Sequence, residues 1–357
     1  MKRMLALALA CIAVLALAAC GSAPAASGSA AASGSAAASV SVGDFKPITL
    51  KFSTMNPKGH FSIDSVYNIA QVIEDKTGGK IKVEVYPGGQ LGDYDIVTDE
   101  LMRGTIDLAF QSAVDKYDAS VGAHALPYLC TDYKDLPVVY AADGYLCQHF
   151  ADAYESMGVK FLGVFTEGFQ GIGSVKKIPN AGDPSAAKNY TLRVANIKCL
   201  TDAFSLLGFS VSTLPYSETL SAIQTGVVDG WVGGTAILNY QTFSDVIKQY
   251  YLYMTYVEAS HFLMNLDRYN SLPAEYQQII TDAIHDECVK SFDLAKEKDQ
   301  EGLDLLSKKG IETVTFTQDE LKAMKDATRD QVLESSRELM GSDFIDGLQA
   351  FLSKNGL

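Results

Sequence analysis

Apolar and polar positions along this chain alternate with a period of two, then of about 3.6, then of two again. Residues 191–195 form a short β-type run that carries Arg193. Leu200, Ala203, Phe204 and Leu207 then fall at i, i+3, i+4 and i+7, one apolar stripe of a helix, and Gly208 closes it. Phe209 and Val211 alternate with Ser210 and Ser212, which predicts a second strand. Ser217 is placed to cap a second helix, Gly226 to end it in the left-handed conformation, and Val227 and Val228 to open a third strand. Strands alternating with helices predict a parallel sheet that holds ligands beyond the carboxyl ends of its strands. Arg193 and residues 229–234 lie at such ends.

The same plan recurs upstream. Residues 49–55 alternate as a strand, and Ile63, Val66, Ile69, Ala70 and Ile73 give the next helix its apolar face, which Gly78 and Gly79 stop. Residues 80–86 alternate charged and apolar, a half-exposed strand. After a turn at 87–92, a helix runs to about Arg103, and Gly104-Thr105-Ile106-Asp107 leads into Leu108-Ala109-Phe110. That GTID run echoes GVVD at 226–229: in each a helix ends on glycine just before a strand and an aspartate. The echo predicts two lobes of similar construction. Near the carboxyl end, a stretch from Ala274 has only Gly302 to interrupt it, and predicts one helix of 36 residues to Lys309. At 1.5 Å per residue it is ~54 Å long, more than one lobe.

The beginning of the chain is different. Lys2 and Arg3 precede an apolar run, residues 4–19, that is too short for a membrane span and fits a secretory signal. It ends Leu17-Ala18-Ala19-Cys20, which resembles the lipobox of bacterial lipoproteins, where the signal is cut before a cysteine that receives lipid. The expected division is a signal at 1–19, a lipidated Ala/Ser/Gly tether at 20–42, and folded chain beyond. The remaining length, just over 300 residues, suffices for two lobes.

Charge narrows the partners. The chain carries −14, and loss of the signal with Lys2 and Arg3 leaves −16. Such a chain repels nucleic acid and anionic lipid, so any anion site must be made by local groups. Cys130, Cys147, Cys199 and Cys288 form no C-x-x-C pair. A Cys130–Cys147 disulfide and a set of buried thiols both fit. There is no H-E-x-x-H, no G-x-S-x-G and no phosphate-binding loop, so neither a metal, a cofactor nor a catalytic residue is expected.

Three runs at fixed spacing carry a family resemblance: Leu192-Arg193-Val194, Pro215-Tyr216-Ser217-Glu218, and the stretch AIQTGVVDG at 222–230. They resemble the substrate-binding proteins of tripartite ATP-independent periplasmic (TRAP) transporters, as do KTGGKIKVEVYPGGQLG at 76–92, GTIDLAF at 104–110 and Leu126-Pro127-Tyr128-Leu129. The resemblance implies an α/β, two-lobed periplasmic-binding-protein-like fold with a central cleft and a long helix, 274–309, spanning both lobes. Lobe I would comprise 43–165 and 259–290, and lobe II 166–258 and 291–357. It makes Arg193 the ligand-binding arginine. A second arginine of the family is here Gln170, and a family asparagine is here Gly233, beside Trp231, the single tryptophan. Phe169, Tyr216, Gln111 and His60 complete the expected ligand set, although each also fits packing or loop structure. The function implied is capture of a small organic acid outside the cell and its delivery to an integral-membrane permease. The membrane would be reached only through the lipid on Cys20. A ligand-sensing lipoprotein of the same fold and an extracellular enzyme are the rival readings.

Overall fold

The computed structural model describes residues 41–357. The expected signal at 1–19, the lipidation site Cys20 and the tether up to residue 40 lie outside the described residues. From Ser41 onward the chain is one compact unit.

The first five elements follow the expected order: β1 (Ile48–Thr54), α1 (Phe61–Lys76), β2 (Ile81–Tyr86), α2 (Tyr94–Arg103) and β3 (Leu108–Gln111). Ile63, Val66, Ile69 and Ile73 of α1 are at most 1% exposed, so the apolar stripe read from spacing is the face that packs on the sheet. Each such burial contributes about 1.5–3 kcal/mol. Two short helical segments, α3 (Leu136–Val139) and α4 (Tyr145–Ser156), lead to the long strand β4 (Val159–Phe169). The chain then passes to a second sheet through β5 (Ile172–Ser174), β6 (Thr191–Val194), α5 (Lys198–Leu206), β7 (Ser210–Thr213), α6 (Tyr216–Gln224) and β8 (Gly230–Val232). It returns through α7 (Ala236–Leu238), β9 (Gln249–Tyr251), β10 (Val257–Asn265) and α8 (Leu266–Asn270). The end of the chain is α9 (Ala274–Lys308), β11 (Glu312–Val314), α10 (Gln318–Met340) and α11 (Ser342–Lys354).

Two mixed sheets result, ordered β2-β1-β3-β10-β4 and β11-β9-β5-β8-β6-β7. The fold is α/β and two-lobed, with β4 and β10 running antiparallel as the paired crossing strands. Helix α9, 35 residues long, packs on β4 and α1 at one end and on α7 and β11 at the other. Gly302 is what lets it lie so close, because a Cβ there would overlap the backbone nitrogen of Ile237. Helix α11 packs on α4, where Tyr145 donates to the Phe344 carbonyl at 2.9 Å.

Three local expectations are corrected. Ser217 does not cap α6: Pro215 occupies the cap position and Ser217 lies inside the first turn. The third strand opens at Gly230, not at Val227, which is 61% exposed; Val228 is in the core. The Cys130–Cys147 bridge is absent: both are free buried thiols, as are Cys199 and Cys288, and the Cys147 sulfur faces the Tyr140 carbonyl at 3.6 Å. Among the described residues no helix is long and apolar enough to cross a membrane.

Candidate ligand-binding cleft

A cleft of about 710 Å³ opens where carboxyl ends of strands from both sheets converge. Asn56 follows β1, and Gln111 and Ser112 end or follow β3. From the second sheet come Arg193 on β6, Leu214 after β7, and Trp231 to Gly234 at the end of β8. This is the position that parallel strand–helix units favour for ligands, because successive strands leave a crevice beyond their carboxyl ends.

Arg193 is the buried cation of this lining, 3% exposed. Its Nε and Nη2 donate to the Leu214 carbonyl at 3.0 and 2.6 Å, which fixes the plane of the guanidinium. Among the described residues no carboxylate lies within ion-pair distance of it, and Nη1 makes no hydrogen bond. Burial lowers its pKa from the usual arginine value, with the neighbouring Tyr94, Tyr256 and Tyr216 acting the other way. An arginine held at one edge and unpaired at the other can receive a carboxylate through its free donors.

Gln170, Trp231, Gly233, Tyr216 and Gln111 also line the cleft. Gln170 donates to Glu258, and its carbonyl oxygen is buried without a partner. Trp231 donates from Nε1 to Asn239 Oδ1 at 3.0 Å and packs on Phe243 and Tyr216. Gly233 is small because the Trp231 ring lies against it, 2.6 Å from where a Cβ would be. Gln111 is committed to Thr98 at 2.8 Å. Two expected residues are not in the lining. Phe169 packs edge-on against Tyr133 in the core, and its backbone N–H donates to Asp299 at 2.8 Å. His60 caps α1 and sits behind Glu167, its Nε2 3.6 Å from that carboxylate; burial lowers its pKa to about 3, so it is neutral.

The sequence reading missed the acidic side of the cleft. Glu167, on β4, is 1% exposed and accepts from Asn56 at 2.9 Å and Ser260 at 3.1 Å. Glu258, on β10, accepts from Ser112 at 2.6 Å and from Gln170. A bulge in the β4–β10 ladder between Glu258 and Ala259 leaves Glu167 without a cross-strand partner and brings it into the cleft beside Glu258. Burial raises both carboxyl pKa values, and the charge of Glu258 raises that of Glu167 further. A signal was present: Glu258 is the one carboxylate in the strand run VEASHFLMN. Tyr94 and Tyr256 complete the aromatic walls.

Contacts cross the cleft mouth. Asp93, which caps α2 by accepting from the Tyr94 N–H at 2.7 Å, also accepts from the Ser217 N–H at 3.1 Å and hydroxyl at 2.6 Å. Gln241 donates to the Gly59 carbonyl at 2.9 Å. The lobes are therefore engaged with each other across the site.

Comparison with known proteins agrees with this geometry. The profile of the DctP family, described as "Bacterial extracellular solute-binding protein, family 7", matches residues 52–338. The C4-dicarboxylate-binding periplasmic protein DctP of Rhodobacter capsulatus is 25% identical over 324 residues, covering 85% of this chain and 91% of that protein. The sugar acid binding protein of Advenella mimigardefordensis, solved with galactonate, superposes with a TM-score of 0.79 at 21% identity, covering 87% of this chain and 99% of that one. A TRAP periplasmic solute-binding protein from Desulfovibrio salexigens, solved with orotic acid, gives a TM-score of 0.78 at 20% identity, covering 86% and 99%.

Proposed function

This chain belongs to the bacterial extracellular solute-binding protein family 7, a family of transport receptors and not of enzymes, and from that membership we propose that it captures a small carboxylate in its cleft and passes it to a TRAP-type membrane permease. Arg193 carries this reading. It is a buried guanidinium with one free edge in a cleft made by both lobes, inside a protein whose overall charge would otherwise repel an anion. The relatives named above bind a C4-dicarboxylate, galactonate and orotic acid, all acids. The cross-cleft bonds of Asp93 and Gln241 support a receptor that closes on its ligand and presents a closed face to the permease.

The Leu17–Cys20 run supports attachment to the outer face of a membrane through lipid on Cys20, after removal of residues 1–19. Crossings are expected at 165 and 258 with α9 shared between the lobes; β4 and β10 pair in the first sheet as far as Phe169 and Val257, which supports crossings just beyond those residues. Mass spectrometry of compounds released from the purified protein tests the ligand class. An intact carboxylate is the expected result, and a native ligand with no acidic group overturns the reading. Cys20→Ser should free the protein from membranes or block processing of the leader; undiminished membrane retention refutes the anchor.

A further inference from the structure

The cleft is not simply a receptor for anions. Its lining carries Asp93, Asp95, Asp115, Glu167, Glu218 and Glu258 against two cations, Arg193 and Lys116. Lys116 is engaged with Asp99 at 3.1 Å. Glu167, buried, and Glu258, half-buried, lie side by side on the sheet that does not carry Arg193. Their protein hydrogen-bond donors are neutral: Asn56 and Ser260 for one, and Ser112, Gln170 and the Gly234 N–H for the other. The one titratable cation nearby, His60, is 3.6 Å from Glu167 and kept neutral by burial. Beside the pair, the carbonyl oxygen of Gln170 is buried, unpartnered and part of the cleft lining. Arg193 acts on Glu258 from beyond ion-pair distance, so three acceptor groups converge with no cation in direct contact with them. An unpaired buried charge is costly, so burial raises the Glu167 pKa to about 8, and an ammonium group set beside the pair would favour the ionised form. Tyr94, Tyr216 and Tyr256 line the cleft close to Glu258, and aromatic rings attract cations.

We propose that the compound held here carries an ammonium group as well as a carboxylate, with Arg193 taking the carboxylate and Glu258 and Glu167 taking the ammonium. This rests on the reading of the cleft as a carboxylate receptor and narrows it to amino acids and other amino carboxylates. A second carboxylate would instead be placed against Glu258 and the Gln170 carbonyl, with like charge and like acceptors facing each other. Selection against dicarboxylates follows from the same residues as selection for the ammonium.

The test is calorimetry and thermal shift on the purified full chain, stripped of bound compounds, with carboxylates of three to ten carbons. Four series end in methyl, hydroxyl, carboxylate or ammonium, and the common α-amino acids are added. The expected result is tightest binding within the ammonium-bearing compounds, at least tenfold over the dicarboxylate of equal length. Glu258→Gln should lower affinity for the best amino carboxylate by roughly thirty-fold or more, the usual consequence of truncating one partner of a buried charge pair. The loss should be much larger for the ammonium series than for the hydroxyl series. Glu167→Gln, tested alongside, guards against a misfolded first variant. A wild-type protein that binds no ammonium-bearing compound, or binds dicarboxylates as well, overturns the inference. So does a preference that survives both substitutions. Carboxylate binding without such preference, but lost in Arg193→Ala, would sink this inference and leave the carboxylate receptor standing; binding undisturbed by Arg193→Ala would sink both.

Discussion

In the first sheet Asp107 accepts from the Lys51 N–H at 2.8 Å, and in the second Asp229 accepts from the Thr191 N–H at 2.9 Å. Each aspartate also pairs through its other oxygen with a cation, Arg268 at 2.8 Å and Lys176 at 2.6 Å. Each follows a helix that ends on a left-handed glycine, Gly104 at φ 77° and Gly226 at φ 75°. The strand orders β2-β1-β3 and β7-β6-β8 are the same. Setting Lys51 against Thr191 places Ser53 against Arg193. Ser53 is fully buried and its hydroxyl has no partner, whereas Arg193 turns its free edge into the cleft. One scaffold is thus built twice, and a cation is placed in only one copy. The first lobe contributes its chemistry through Glu167 and Glu258 on β4 and β10, strands outside the repeated unit.

Substitution at the unmatched position separates the copies most sharply. Arg193→Ala should weaken binding of the released carboxylate by roughly thirty-fold to several thousand-fold, or ~2–5 kcal/mol, while thermal unfolding shows an intact fold. Ser53→Ala should leave affinity within a factor of two, since it removes only an unpartnered hydroxyl. Calorimetry on both variants decides, and equal losses would end the contrast.

The two copies are joined where β4 leaves the first sheet, and there Asp299 of α9 holds the backbone. It accepts from Tyr133 at 2.7 Å and from the Phe169 N–H at 2.8 Å, and burial pushes its carboxyl up to about 7. The folded protein therefore holds a proton at Asp299 that the unfolded chain has released above about pH 4. Stability from this group is full below that pH and falls as pH rises to about 7, by up to ~4 kcal/mol. Asp299→Asn keeps an acceptor for both donors and should flatten that dependence. Urea unfolding of both proteins between pH 4 and pH 8 checks it, and parallel curves would discard the assignment.

The matched aspartates offer a milder test. Asp107→Ala should destabilise by about 1–3 kcal/mol, because the Lys51 N–H loses its partner. Asp229→Ala should cost less, since its side chain is 25% exposed and water can replace it. A silent Asp107→Ala would show that the repeated bond is incidental.

The smallest effect concerns how the copies meet. Asp93 caps α2 with one oxygen and reaches the first turn of α6 with the other, where Pro215 supplies no side-chain cap. Ser217→Ala removes the hydroxyl contact alone and should weaken ligand affinity by about 1 kcal/mol or less. Asp93→Ala should cost about 0.5–2 kcal/mol and enlarge the radius of gyration in scattering without ligand. Identical scattering from Asp93→Ala and the parent would exclude Asp93 as a closing contact.

Local periodicity was enough for most elements, because a stripe such as Ile63, Val66, Ile69 and Ile73 has only one face to bury. The GTID and GVVD runs disclosed the repeat, since helix end, strand start and aspartate are all set within a few residues. Arg193 was legible because it sits in a motif at a strand's carboxyl end. The cap of α6 was misplaced because its acceptor, Asp93, comes from 124 residues away. The acidic wall was invisible for the same reason: Glu167 and Glu258 lie 91 positions apart in sequence and meet only through the bulged pairing of β4 with β10. Phe169 went to the core and Glu167 to the cleft, although residues two apart share a face in a regular strand, because Glu167 is the extra residue of the bulge and only the pairing with β10 reveals that break. The sequence by itself determined the elements, the repeated scaffold and the buried cation Arg193. The tertiary structure alone decided what faces that cation, because burial and charge pairing act through space between residues remote along the chain.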